Sequence, residues 1–161
     1  MTDFNSDKPP HKSPKLPPAL WVIIWLFLMW LSAYSLPTFY YQWAFTKYVM
    51  VIFYALGVGL ILTATVQFKK AATTLNPMTP DGASSLVTSG IFGISRNPIY
   101  LGFLLILTGW AVTLAHPIAY LWLPLFVFFI NRYQIIPEEM ALQRQFTDVY
   151  KNYQQQVRRW L

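Results

Sequence analysis

The sequence has no cysteine, only two histidines, and only six acidic residues among 161. Without cysteine, the chain can form no disulfide, offer no thiolate nucleophile and bind no metal through sulfur. The histidines, His11 and His116, are far apart, and there is no HExxH pair or glycine-rich phosphate loop. These absences argue against metal-dependent hydrolysis and Ser-His-Asp catalysis, and we expect no metal site.

Charge is also scarce, because Asp, Glu, Lys and Arg together make up 11% of the residues. A soluble domain of this length would need more charge to cover its surface. Hydrophobic residues make up 55% and aromatic residues 18% of the chain, and the apolar residues lie in long blocks. This composition indicates an integral membrane protein.

Four apolar blocks approach or exceed the roughly twenty residues that a helix needs to cross a bilayer. They are Ala19 to Leu36, Tyr48 to Phe68, Pro98 to Leu114, and Ile118 to Ile136. The sequence therefore predicts an all-α membrane protein with four transmembrane helices. The third and fourth are separated only by Ala115-His116-Pro117, which predicts a tight helical hairpin.

The positive charges predict the orientation of these spans, because Lys and Arg accumulate on the cytoplasmic side. Eleven of the twelve fall before span one, between spans two and three, or around and after the end of span four, and only Lys47 falls on the other side. Both ends of the chain are therefore predicted to be cytoplasmic, in a bacterial inner membrane. The net charge of +6 suits anionic lipid headgroups better than nucleic acid.

Residues 1–18 are rich in proline and are predicted to form a disordered cytoplasmic tail, and residues 19–161 a single membrane domain. A cleaved signal peptide is the alternative, since a small-x-small pattern, Ala33-Tyr34-Ser35, follows the first apolar run. The length and aromatic content of that run, and the charge pattern, favour a retained span.

Polar residues gather on the cytoplasmic side, where the stretch SRNPIY, Ser95 to Tyr100, opens span three. A purely structural interpretation accounts for it: Asn97 as helix cap, Pro98 as first helical residue, Arg96 reaching lipid phosphates and Tyr100 in an aromatic belt. The alternative is that the same residues form a binding site.

A second polar segment follows span four, where apolar residues recur at three- and four-residue spacing. They are Leu142, Phe146, Val149, Tyr153, Val157 and Trp160. This spacing predicts an amphipathic cytoplasmic helix over 137–160. Glu138 and Glu139 would lie in its first turn, where carboxylates are common because the helix dipole is positive there. Adjacent carboxylates beside a membrane bundle also suggest a cationic partner.

The run LVTSGIFGISRNPIYLG, followed after a hairpin by PEEMALQRQFTDVYKNYQQQVRRW, resembles the isoprenylcysteine carboxyl methyltransferase and phospholipid methyltransferase superfamily, in particular its small prokaryotic members. The resemblance extends from Asn76 to the last residue. It implies an S-adenosylmethionine-dependent methyltransferase that acts on a lipophilic or lipid acceptor at the cytoplasmic face of the membrane.

Matching motif positions assign roles to particular residues. The resemblance implies a cofactor pocket formed by Ser84, Ser85, Leu86, Val87, Phe92, Arg96, Asn97, Pro98, Ile99, Tyr100 and Glu138. Gln134 falls where relatives have a substrate contact. The candidate catalytic residues are Glu139, an adjacent motif residue, and Arg132, the positive charge nearest to Gln134. In this pocket Glu138 or Glu139 would pair with the cofactor ammonium and Arg96 with its carboxylate.

The chain departs from relatives that act on prenylated cysteine. Those relatives tend to have His at the position of Asn97, an aromatic hydroxyl at Phe92 and an arginine at Gln134. The missing arginine argues against a carboxylate acceptor, so the prenylcysteine specificity is not carried over. The identity of the acceptor and the oligomeric state are left open.

Two other classes of function compete with this interpretation. An NADPH-dependent sterol-type membrane reductase has a similar helical hairpin but carries further acidic and basic motif residues that this chain lacks. A small four-span transporter or structural protein is the second. A coupled transporter would be expected to have an ionisable residue near the membrane midplane, and the first three spans have none.

Overall fold

The computed structural model describes residues 16–36, 39–41, 43–70 and 86–161. Within these ranges the chain is helical and contains no strand, which confirms the all-α class. The helices are α1 (Pro18–Tyr34), α2 (Thr46–Lys70), α3 (Pro98–Leu114), α4 (Pro117–Ile130) and α5 (Ile136–Gln156). A 3-10 turn, Gly90–Gly93, precedes α3, and a π-helical segment, Asn131–Ile135, joins α4 to α5. Most of the predicted tail lies outside the described residues.

Proline sets the start of most of these helices. It occupies one of the first two positions of α1, α3 and α4, where its missing N–H costs no helical hydrogen bond. The predicted hairpin is confirmed: Ala115 ends α3 in the left-handed region at φ 50°, and the side chain of His116 accepts a hydrogen bond from Ile118 N. Asn97 lies at the cap of α3 but makes no side-chain cap bond, so that detail of the prediction is wrong.

The π-helical segment has a local cause in Pro137. A proline inside a helix lacks an N–H, and its ring clashes with the carbonyl four residues earlier. Just before Pro137 the hydrogen-bonded turn widens by one residue, because Ile136 N–H donates to Asn131 O, five residues back, instead of to the carbonyl four residues back. The fourth apolar block therefore continues without a break into α5, and its last residues form this wider turn.

The core lies between α1, α3 and α4. Its fully buried side chains include Met29, Leu107, Phe126 and Ile130. Helix α2 packs beside α3 through glycines: a Cβ on Gly57 would lie 2.7 Å from the carbonyl oxygen of Gly102. Much of the opposite face of α2 is apolar and exposed, as expected for a surface that contacts lipid.

Two helical stretches are long and apolar enough to cross a membrane: Thr46–Lys70, and the continuous helix Pro117–Gln156. At 1.5 Å per residue, α2 spans about 38 Å. Helices α1 and α3 are apolar but have 17 residues each, which gives about 26 Å. Length and composition therefore identify two candidate spans among the described residues, and α1 and α3 remain predicted spans.

Helix α5 is amphipathic, as predicted, but it ends at Gln156 rather than Trp160. It is interrupted at Thr147, where φ is 41° and ψ is −109°. Beyond this break Tyr153 is buried as predicted, together with Tyr150, whereas Val149, predicted to lie on the apolar face, is 62% exposed. Beyond Gln156 the chain turns into an extended conformation at Val157.

Candidate functional site

The two polar segments of the sequence meet in space at the start of α3 and the first turn of α5. Arg96 Nη2 donates to Glu139 Oε1 at 2.9 Å, and Tyr100 Oη donates to Glu138 Oε2 at 3.1 Å. These pairs are separated by 43 and 38 residues of sequence. The structure therefore places both glutamates against the SRNPIY stretch.

Glu139 is buried, and two guanidinium groups bind it. Besides Arg96, Arg159 donates from Nε to Oε1 at 3.0 Å and from Nη2 to Oε2 at 2.6 Å. Both carboxylate oxygens are thus engaged by charge-assisted hydrogen bonds. In this arrangement Glu139 holds two arginines and does not face a ligand as a free carboxylate.

Glu138 has a different environment, although it is the adjacent residue. It lies beyond the predicted end of the fourth span, is partly buried, and has Tyr100 as its hydrogen-bond donor. Burial raises the pKa of Glu138 to about 7, against the lowering effect of the Tyr100 hydrogen bond, and the nearby charge of Glu139 raises it further. A carboxyl with this pKa can accept or release a proton near neutrality.

The last five residues of the sequence, Val157–Leu161, also join this site. The carbonyl oxygen of Arg159 accepts a hydrogen bond from Asn97 Nδ2 at 3.0 Å and one from Ser95 Oγ at 3.4 Å. The carbonyl oxygen of Arg158 accepts from Arg96 N at 3.0 Å. The side chain of Asn97, expected to cap α3, is therefore used to hold this segment.

Sequence reasoning missed the contribution of Arg159. The periodic apolar pattern continues through Trp160 and so predicts helix where the chain turns back. The only sequence feature that marks the turn is the adjacent basic pair, Arg158 and Arg159, beside an aromatic residue. Trp160 Nε1 donates to Asn131 Oδ1 at 3.2 Å, which ties the segment to the π-helical turn.

Several residues assigned to the cofactor pocket have packing contacts. Phe92 is buried against Phe68, with ring centroids 4.8 Å apart, and its carbonyl oxygen accepts from Tyr153 Oη at 2.6 Å. Leu86 packs with Tyr153 and its neighbours on α5. Pro98 is buried, and Val87 and Ile99 are partly buried. Ser84 and Ser85 lie outside the described residues.

Gln134, the predicted substrate contact, is 2% exposed and lies in the π-helical segment. Its Nε2 donates a long hydrogen bond, 3.4 Å, to Leu16 O, whereas its Oε1 is buried with no partner in the described part of the chain. A buried acceptor without a donor is costly, so this oxygen suits a ligand that carries an N–H or O–H group.

The predicted catalytic residue Arg132 is in the same segment but is exposed. The structure therefore does not bring its side chain into the cluster formed by Arg96, Glu139 and Arg159. Its catalytic role stays a prediction.

Comparison with known proteins agrees with the membrane setting. A family model described as phospholipid methyltransferase matches residues 45–149, which is more than half of the chain. An uncharacterized protein of Haemophilus influenzae is 44% identical over 63 residues, which make up 39% of this chain and 100% of that relative. No solved structure matches the chain. None of these findings supports the reductase or the transporter hypothesis.

Proposed function

Because the chain belongs to the phospholipid methyltransferase family, and is thus a membrane-associated methyltransferase for lipid-type substrates, we propose a more specific reaction. In this reaction the protein transfers a methyl group from S-adenosylmethionine to a lipophilic acceptor at the cytoplasmic face of a bacterial inner membrane. The observation that carries this proposal is the convergence of Arg96 and Tyr100 with Glu138 and Glu139 at one end of the helices.

The residues at this site fit the charges of S-adenosylmethionine. Arg96 has a buried Nε without a partner among the described residues, and this donor suits a carboxylate. Glu138 offers a carboxyl group to an ammonium, while Glu139 is already engaged. The aromatic ring of Tyr100 is next to Glu138 and can attract a cation through its face.

When bound, S-adenosylmethionine supplies a methyl group already activated by its sulfonium, so the chain needs no nucleophile of its own. The task of the protein residues is to bind both partners, exclude water and align them. If the acceptor is a neutral amine, it must also lose a proton, and Glu138 is the candidate base when it does not pair with the cofactor ammonium. A carboxylate or thiolate acceptor would require no such base.

The acceptor contact in this proposal is Gln134. An amide offers no positive charge to a carboxylate, and its unpaired Oε1 favours an acceptor molecule with an N–H or O–H group. The prenylcysteine specificity of some relatives is therefore not part of the proposal. An apolar acceptor would enter from the bilayer, and the water-soluble cofactor from the cytoplasm.

In the membrane arrangement that accompanies this function, all four long apolar helices cross the bilayer as a single domain, residues 19–161. The 17-residue helices α1 and α3 would be the short spans. The distribution of Lys and Arg supports a cytoplasmic position for the site and for both ends of the chain.

The test is transfer of a labelled methyl group from S-adenosylmethionine into the lipid extract of bacterial membranes that contain the full chain. We expect label in an extractable lipid with the native protein and little with Glu138→Gln. Asp148→Asn is the matched control, because Asp148 is an exposed acid on the same helix. Equal labelling by native protein and Glu138→Gln, or none by either, would contradict the proposal.

A further inference from the structure

The cluster of Arg96, Glu139 and Arg159 contains two guanidinium groups and one carboxylate. An arginine cannot lose its proton in a protein, so the cluster has a net charge of +1. Two of these residues were expected in the site. The third, Arg159, follows the matched residues 45–149 of the family model and has no role in the function proposed above.

Arg159 is held in place through both its side chain and its backbone carbonyl. Its side chain makes a forked pair of hydrogen bonds to Glu139, at 3.0 and 2.6 Å, which is a geometry that fixes both groups. Its carbonyl oxygen is bound by Asn97 and Ser95 from the opposite part of the chain. The side chain is therefore positioned by backbone contacts that do not depend on its charge.

Arg96 is the more buried arginine, with a side chain that is 10% exposed. If Glu139 had Arg96 as its only partner, the pair would be neutral. Because Arg159 also binds Glu139, an uncompensated positive charge remains in a partly buried place, where an unpaired charge is costly. The Nε of Arg96 is buried and unpaired within the ranges described, so a hydrogen-bond donor is available together with this charge.

No neighbouring group in the described part of the chain supplies an anion that would balance this charge. Tyr150 is buried near the cluster, and burial together with Glu139 raises its pKa, so its hydroxyl stays neutral. Glu138 is bonded to Tyr100 and is partly protonated at neutral pH. A cationic group bound at Glu138 and an anionic group bound at Arg96 would together balance the site.

We propose that Arg159 is a positioning residue that neutralises Glu139 and so leaves the positive charge of Arg96 and its unpaired Nε available to an oxyanion. This inference rests on the proposed function for one of its two ligands. The oxyanion is a carboxylate or a phosphate, supplied by the amino-acid part of S-adenosylmethionine or by a phospholipid headgroup. Either group accepts the directional N–H bonds that a guanidinium offers.

The test measures ligand affinity of the detergent-purified full chain, not its activity. For a cofactor carboxylate, Arg159→Gln is expected to weaken S-adenosylmethionine binding by about 10-fold or more. Binding of decarboxylated S-adenosylmethionine, which keeps the sulfonium and the amine, is expected to change less than about twofold. Arg158→Gln is the matched control, because it removes the same charge from an exposed neighbour whose backbone contacts Arg96.

A double variant separates charge balance from folding. In Arg159→Gln with Glu139→Gln, one arginine and no carboxylate remain, so the net charge of the cluster returns to +1. We expect the double variant to recover most of the affinity lost in Arg159→Gln. A structural role for Arg159 predicts instead that the second substitution weakens binding further, and that result would overturn the proposal.

A short-chain phospholipid distinguishes the two sources of the oxyanion. If the ligand is a headgroup phosphate, Arg159→Gln weakens binding of the phospholipid and leaves that of S-adenosylmethionine unchanged. Equal affinities of Arg159→Gln and Arg158→Gln for all three ligands would overturn the inference. Absence of S-adenosylmethionine binding by the native chain would refute the proposed function, while the phospholipid arm would still test Arg159.

Discussion

The two ends of helix α3 both bury polar groups, but they satisfy them differently. At the hairpin end, His116 is 2% exposed, and both ring nitrogens are bonded: Nε2 to Leu36 O at 2.8 Å and Nδ1 to Ile118 N at 3.1 Å. At the SRNPIY end, Arg96 Nε and Gln134 Oε1 are buried with no partner in the described ranges. Among the described residues, the buried histidine at the hairpin end is fully bonded, whereas the SRNPIY end has a donor and an acceptor without partners.

This difference distinguishes buried polar groups that only stabilise the fold from those that are available to a ligand. Buried polar atoms in native proteins almost always have partners, so exceptions at one end need an explanation. The exceptions here include a donor on Arg96, within the SRNPIY stretch, and an acceptor on Gln134, four residues before Glu138. A bound ligand would satisfy them, which supports the proposal that the methyltransferase site lies at this end.

The largest expected effect comes from Glu138→Gln. This substitution keeps the shape of the side chain and its bond to Tyr100 but removes the carboxylate that would pair with a cation. We expect the affinity for S-adenosylmethionine to fall about 10- to 100-fold, as for loss of a hydrogen bond to a charged group. Calorimetry on the folded protein measures it, and an unchanged affinity would remove Glu138 from the site.

His116→Ala tests the opposite end. It leaves Leu36 O and Ile118 N without their partner, which is expected to cost about 1–3 kcal/mol of stability. The thermal midpoint in detergent should fall, while the affinity of the folded fraction for S-adenosylmethionine should not change. A loss of affinity without a loss of stability would contradict the contrast between the two ends.

The pKa of Glu138 predicts how binding depends on pH. The folded protein protonates this carboxyl near pH 7, and a cationic ligand favours its ionised form. Affinity should therefore be greatest above pH 7 and fall by up to about 10-fold for each pH unit below it. Binding at pH 7 should also release up to about half a proton per site, measured as a dependence of the binding enthalpy on the ionisation enthalpy of the buffer. Glu138→Gln should abolish both effects.

The smallest expected effect is that of Gln134→Leu. It removes a buried acceptor without a partner and a single long hydrogen bond to Leu16. Stability should stay within about 1 kcal/mol of the native value, because little is lost. The KM for the lipid acceptor should rise a few-fold while the affinity for S-adenosylmethionine is unchanged. A clear loss of stability would show that Gln134 is structural.

Local chemistry explains which features could be predicted from the sequence. Pro98 and Pro117 mark helix starts because the effect of a proline ring on the backbone is local. The exposure of Val149 could not be predicted, because it accompanies the non-helical φ and ψ at Thr147, whereas Tyr153 is buried as the spacing predicts. The apolar spacing alone contains no information on that break.

The candidate site residues could be predicted from the sequence only where they belong to a family motif. The resemblance brought the SRNPIY stretch and the two glutamates together, with Glu138 assigned to the cofactor and Glu139 to catalysis, but it did not indicate that Glu139 is held by two arginines. One of these arginines, Arg159, lies 20 residues beyond Glu139 and reaches it only because the chain reverses after Gln156. Contacts that depend on such a reversal have no signal in the local sequence.

The most direct test of the central claim is calorimetric binding of S-adenosylmethionine and, separately, of NADPH to the detergent-purified native chain. We predict saturable binding of S-adenosylmethionine, with one site per chain, and no binding of NADPH. Binding of NADPH alone would identify a reductase site. Binding of neither would show that the unpaired polar atoms at the SRNPIY end do not form a cofactor site.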